Sequence, residues 1–143
     1  MSTSGLRQFD ETLHLTNTWL KDIMTELGWS DRSAAYRALR TSLHSLRDHL
    51  SVDDGAHLAA QLPMMLKGVY YDGWKPAHCG GGDRSAEAFL KPIGEAFDAD
   101  PRIEAKTVAQ SVFKVMSDHI TEGEINHVRH ALPKPIREIF ADA

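Results

Sequence analysis

Sliding the chain along itself by 70 residues brings its two halves into register without a gap. Trp19-Leu20-Lys21-Asp22-Ile23 falls over Phe89-Leu90-Lys91-Pro92-Ile93, and Asp48-His49-Leu50-Ser51 over Asp118-His119-Ile120-Thr121. His57-Leu58 matches His127-Val128, Leu62-Pro63 matches Leu132-Pro133, and Val69-Tyr70 matches Ile139-Phe140. Where residues differ, size and polarity are mostly kept, as in Leu43 for Phe113 and Leu46 for Met116. Such a period is the mark of a tandem duplication of one unit, and it constrains the fold more than any composition does. A unit of about 70 residues has a thin core by itself. The expectation is therefore one compact domain over residues 6-143. Repeat one (about 7–72) and repeat two (about 84–141) would pack about a pseudo-twofold axis, joined by a linker over 73–83.

The periodicity within each unit is helical. Trp19, Leu20, Ile23, Met24 and Leu27 recur at three- and four-residue spacing, predicting a helix from about Arg7 to Leu27 that Gly28 ends. Ser30 is positioned to cap a second helix, whose apolar stripe is Ala35, Leu39, Leu43, Leu46 and Leu50. Ser51 with Asp54 reads as a capping pair for a short third helix to about Gln61. Pro63 suits the first position of a fourth helix ending near Tyr71. The second copy repeats each device. Asp83 or Ser85 starts its first helix, Asp100-Pro101 opens its second, Thr121 with Glu124 caps its third, and Pro133 opens a last helix ending near Phe140. No run alternates as a strand would. The fold class is all-α, four helices repeated to make eight.

The residues assembled in this way resemble a known bacterial family, domain-of-unknown-function family 2267. The likeness rests on Leu62-Pro63-x-x-Leu66-Lys67, on Tyr70-Tyr71-Asp72-Gly73-Trp74, and on Asp118-His119-Ile120-Thr121-Glu122-Gly123-Glu124 running on to Leu132-Pro133-x-x-Ile136-Arg137-x-x-Phe140. It spans the chain from about Phe9 onward. The resemblance implies a stand-alone helical cytosolic protein without an assigned activity, and it brings no catalytic residues.

Composition narrows the function classes. Sixteen Lys and Arg stand against twenty Asp and Glu, for a net charge of −4, whereas nucleic-acid binders carry a clustered basic excess. The one basic stripe, Arg32, Arg37, Arg40 and Arg47, reads as a solvated helix face, so no nucleic-acid partner is expected. The longest apolar-rich run, Ala56 to Leu66, is too short to span a bilayer, and no membrane role is expected. Cys79 is the only cysteine, which fits a reducing compartment. Met1 to Leu13 lacks the apolar segment of a secretory signal, so the expected location is the cytoplasm.

Three sets of residues have chemistry to offer. Asp54-x-x-His57 and Glu124-x-x-His127 occupy equivalent places, and each could turn a carboxylate and an imidazole to one metal. Both acids also sit in the first turn of a helix, where capping and the helix dipole already account for them. His49 and His119, near the ends of long helices, suit capping of free carbonyls, with a pH-sensing role as the alternative. The third set is Tyr70, Tyr71, Trp74, His78 and Cys79, beside the flexible run Gly80-Gly81-Gly82. Tyr71-Asp72-Gly73-Trp74 has no counterpart in the second copy and is an addition to the basic unit. Its aromatics could bind a ligand or partner, or pack between the halves. No phosphate-binding loop, nucleophile turn or His-Glu-x-x-His element is present. The reading that follows is a non-enzymatic helical interaction or regulatory module, with a protein partner or self-association and no cofactor. A metal- or small-molecule-binding protein is the alternative.

Overall fold

The computed structural model describes residues 3–80 and 82–141. Among these residues the chain forms eight α-helices and no strand. They are α1 (Arg7–Leu27), α2 (Arg32–His49), α3 (Val52–Ala59), α4 (Met64–Tyr71), α5 (Ala86–Ala96), α6 (Ala105–His119), α7 (Glu122–Ala131) and α8 (Lys134–Arg137). Two 3₁₀ turns, Pro76–His78 and Glu138–Phe140, complete the set.

Most helix ends fall where local chemistry puts them. Gly28 stops α1 at φ 70, a left-handed conformation that costs a glycine little, and the N–H of Trp29 donates to the Met24 carbonyl. The Ser51 hydroxyl accepts from the Asp54 N–H, and Thr121 from the Glu124 N–H. For α5 the cap is Ser85, which accepts from the Ala88 N–H, while Asp83 sits one step back and accepts from Ser85.

Two starts differ from expectation. Asp31 caps α2 in place of Ser30, because its carboxylate accepts from the N–H groups of both Ser33 and Ala34 and brings negative charge to the positive helix end. Asp100-Pro101 does not open α6, which begins after Glu104. The Asp100 carboxylate instead accepts from the Arg102 N–H and guanidinium at 3.0 Å, closing a turn two residues ahead of itself. α3 ends at Ala59, short of Gln61. Pro63 and Pro133 lie one position earlier than expected, as extended residues immediately before α4 and α8.

α2 is central, packing on α1, α4, α5 and α6; α6 also packs on α1, α5 and α7, and α3 lies against α7. The stripes read from the sequence turn inward: Ala35, Leu39, Leu43, Leu46 and Leu50 of α2 are all buried, as are Val108, Val112, Val115 and Met116 of α6. The arginine stripe of α2 is a solvated face only in part: Arg32 and Arg37 are exposed, yet the stripe also bonds to neighbouring elements. Arg32 donates to the Asn17 side chain, and Arg37 donates to the Ala96 carbonyl while lying over the Phe97 ring. Arg40 pairs with Asp72 at 3.0 Å, and Arg47 is only 7% exposed. These long side chains were positioned to tie α2 to its neighbours, which the helical period by itself does not reveal.

Packing differs at one pair of positions 70 residues apart in the chain. The hydroxyl of Tyr70, on α4, donates to the Gly55 carbonyl of α3 at 3.1 Å, and a Cβ at Gly55 would lie 3.2 Å from the hydroxyl oxygen. At the matching places stand Ile125 and Phe140, where no hydroxyl competes for the space. Gly55→Ala is therefore expected to destabilise the native chain. In a Tyr70→Phe background it should become neutral or stabilising, since alanine favours a helix by up to about 1 kcal/mol over glycine. A double-mutant cycle by urea denaturation checks the coupling, expected at about 1 kcal/mol; additive effects would refute it.

Candidate functional site

The aromatic set closes on itself within the first half. The Tyr71 ring meets Tyr70 at 4.9 Å and Trp74 at 5.0 Å, both edge-on. The Trp74 indole N–H donates to Cys79 Sγ at 3.1 Å, and that thiol reaches the Arg47 carbonyl at 3.6 Å. Arg47 donates through one nitrogen to the carbonyls of Tyr70 and Asp72, each at 2.8 Å, and through Nε to Asp48. The Gly80 N–H donates to the Asp48 carbonyl, so the segment after α4 is strapped along the end of α2. Gly81, the centre of the glycine run, lies outside the described residues. Burial pushes the Tyr70 hydroxyl far above the usual tyrosine range and raises Tyr71 as well. The space among these side chains is about 0 Å³. Trp74 packs on Tyr71 and Cys79. His78 stands apart from the others, exposed, at a separate hollow of about 150 Å³ with His49 and Asp83.

The twin acid-x-x-His elements do meet, because α3 and α7 pack together. His127 Nε2 lies 2.8 Å from Asp54 Oδ1, and the His57 and His127 rings are 5.7 Å apart. Burial acts to raise the Asp54 carboxyl, but the bonds from His127 and Ser51 outweigh it and hold the group below its ordinary range. Glu124 is 8% exposed and its Oε2 has no hydrogen-bond partner. The Thr121 hydroxyl caps α7, and the same hydroxyl and its N–H are gripped by the Gln61 side chain from the other half. Among the described residues no three His, Cys, Asp or Glu side chains are grouped so as to hold a metal ion.

The other matched histidines do not cap helix ends. His119 stacks on Trp19 at 4.9 Å and bonds to Asp22 at 2.7 Å, joining α6 to α1. His49 turns back to the Ser45 carbonyl and meets Phe89, the residue matched to Trp19, edge-on at 5.4 Å.

His44, which the sequence did not single out, has the clearest proton-linked role. Its Nε2 lies 2.7 Å from the Val69 carbonyl, which fits a neutral ring donating its N–H there. Burial lowers its pKa below 6.5, with Arg47 and Arg40 adding to the effect against the pull of that carbonyl. A pKa depressed on folding contributes stability that is full above the unfolded value and is lost as pH falls from there through the lowered folded value. Stability should therefore decline from pH 7.5 to 5.5. The decline should be smaller in His44→Gln, which keeps a donor for Val69 but does not titrate. In the second half a glutamine one turn earlier than the matched position, Gln110, donates to the Ile139 carbonyl at 2.8 Å. Equal declines in the two proteins would remove this role from His44.

One sizeable concavity was not expected from the sequence. It is an open groove of about 580 Å³ between the α1–α2 corner (Gly28 to Asp31) and the α5–α6 corner (Phe97 to Ile103). At its base Trp29 packs on Phe97 with ring centroids 5.5 Å apart; Phe97 is only 5% exposed, and the Arg37 guanidinium lies 5.0 Å over its ring. A signal was present: Trp29 follows the glycine that ends α1, and a large aromatic in a turn has no helical stripe to explain it. Only the packing of α2 on α5 brings that turn to its counterpart.

No helix among the described residues is long and apolar enough to cross a membrane. No curated protein matches the chain. A family model described as an uncharacterized conserved protein matches residues 16–139, and the chain therefore belongs to the DUF2267 family.

Proposed function

We propose that this protein is a non-enzymatic helical recognition module, and that the corner groove is where it takes a protein partner. The observation that carries this reading is the makeup of the groove. Trp29 and Arg37 are residue types that anchor protein interfaces, and with the largely buried Phe97 behind them they line one open concavity of about 580 Å³. The single cysteine and the family resemblance favour a bacterial cytoplasmic setting. The arginines of α2 are engaged within the chain, which favours a protein partner over nucleic acid. The two halves are read as a duplicated unit packed about a pseudo-twofold axis. In support, α2 on α5 and α1 on α6 exchange when the halves are exchanged, whereas α2 on α6 and α3 on α7 map onto themselves.

The test is affinity capture from the host cytosol with the native protein and with Ala99→Arg, an exposed change that fills the groove. A defined partner held by the native protein, lost with Ala99→Arg and kept by Lys67→Glu elsewhere on the surface, supports the groove. A partner retained equally by all three removes it.

A second reading rests on the contact of His127 with Asp54 and its nearness to the His57 ring, where a metal would need further ligands from outside the chain. It makes the protein a metal or small-molecule binder through the α3–α7 crossing. Elemental analysis of native protein against the His57→Ala/His127→Ala variant decides it: a stoichiometric metal lost with the fold intact supports that reading, and its absence from the native protein sinks it.

A further inference from the structure

At the start of α7 the two halves are clasped through a group that a neighbouring side chain is placed to take. In a capping box, the residue three places after a threonine cap turns its carboxylate back onto the cap's own N–H. Thr121 and Glu124 have the residue types and the spacing for this, and half of the box is formed: the Thr121 hydroxyl accepts from the Glu124 N–H at 3.3 Å. The other half is not formed. The Thr121 N–H donates to Gln61 Oε1 at 3.0 Å, and Gln61 Nε2 donates to the Thr121 hydroxyl at 3.1 Å. Glu124 is left 8% exposed with its Oε2 unbonded. The first half differs: Ala131 stands at the position matched to Gln61, and Asp54 keeps bonds to Ser51 and His127.

We propose that Gln61 and Glu124 are alternative acceptors for the Thr121 N–H, which gives the clasp between the halves a built-in release. In the second state Glu124 completes the capping box, Gln61 turns out to solvent, and the turn between α3 and α4 is no longer tied to α7. Opposed effects set the balance. A carboxylate bonds an N–H at the positive end of a helix more strongly than an amide does, and leaving it buried and unbonded is costly. Against that, Gln61 makes two bonds to Thr121, and α3 packs on α7 with His127 held on Asp54. The exchange needs only side-chain rotation, because Gln61 is already exposed and a capping-box glutamate reaches its cap from one turn away. What the release governs is the α3–α7 crossing, and the proposal is independent of the corner groove.

The test is hydrogen exchange of the Thr121 amide in the full chain, followed by NMR. With two acceptors at hand, Gln61→Ala and Glu124→Ala should each leave its rate within about threefold of native, whereas the double variant should exchange roughly tenfold faster or more. In Gln61→Ala the Thr121 amide proton should also move downfield, because its acceptor becomes a carboxylate. The Leu43 and Phe113 amides, deep in α2 and α6, report any change in global stability, so that a general loosening is told apart from loss of the clasp. Glu124→Met, which keeps the length of the side chain without a carboxylate, replaces Glu124→Ala if the shorter residue unfolds the chain. Exchange in Gln61→Ala as fast as in the double variant overturns the proposal, because Glu124 then does not take the place of Gln61. A double variant that exchanges as slowly as the native chain overturns it too, since neither side chain would then hold the N–H.

Discussion

Phe140→Ala is expected to destabilise the protein by about 4 kcal/mol, read as a fall in the urea midpoint. Phe140 is 1% exposed and stacks on Phe113 with ring centroids 4.4 Å apart. It also meets Phe89 edge-on at 5.6 Å. One side chain in the last 3₁₀ turn thus joins α5 to α6. Truncation opens a cavity where three rings converged, and it loses the aromatic pairing, worth about 1 kcal/mol beyond area. Phe9→Ala, at a residue 52% exposed, should shift the midpoint by less than about 0.5 kcal/mol. If the two variants were equally mild, the rings at the end of the chain would not be part of the cooperative core.

Arg47→Ala is the second change expected to have a large effect, about 3 kcal/mol. The guanidinium satisfies two main-chain carbonyls at the end of α4 and pairs with Asp48, with only 7% of the residue exposed. Removing it leaves those carbonyls without their donor in a site that water does not readily enter. Arg47→Lys should fall between the native protein and alanine, since one ammonium cannot reproduce the planar fork. The variant has a second readout. Cys79, held between Trp74 and the Arg47 carbonyl, should react faster with a thiol reagent once the strap is loosened. Unchanged thiol reactivity in a destabilised Arg47→Ala would mean that the strap holds without its arginine.

Much of the architecture was legible because it is written locally. A stripe at helical spacing, a glycine able to turn left-handed and a hydroxyl three residues before an orphan N–H each act within one or two turns of chain. Gly28, Ser51, Thr121 and the inward face of α2 followed from such short-range rules. Local reading failed where two residues competed for one local job. Asp31 displaced Ser30 as a cap, and Asp100 satisfied itself on Arg102. Both outcomes are understandable from hydrogen bonding, but neither is dictated by period.

The sites divide in the same way. That Asp54 matches Glu124 and His57 matches His127 is a property of the sequence; that Asp54 and His127 lie 2.8 Å apart depends on how α3 crosses α7. The corner groove exists because α2 packs on α5, bringing Trp29 to a ring 68 positions later in the chain. Likewise Arg47 was one member of a stripe until the fold wrapped the segment after α4 around it. The sequence by itself determined which segments are helical, where they cap and which faces turn inward, because those preferences act over a few residues. Tertiary structure decided which polar side chains meet and which concavities stay open. Those outcomes depend on helix crossing geometry, which many packed side chains set together and no local pattern encodes.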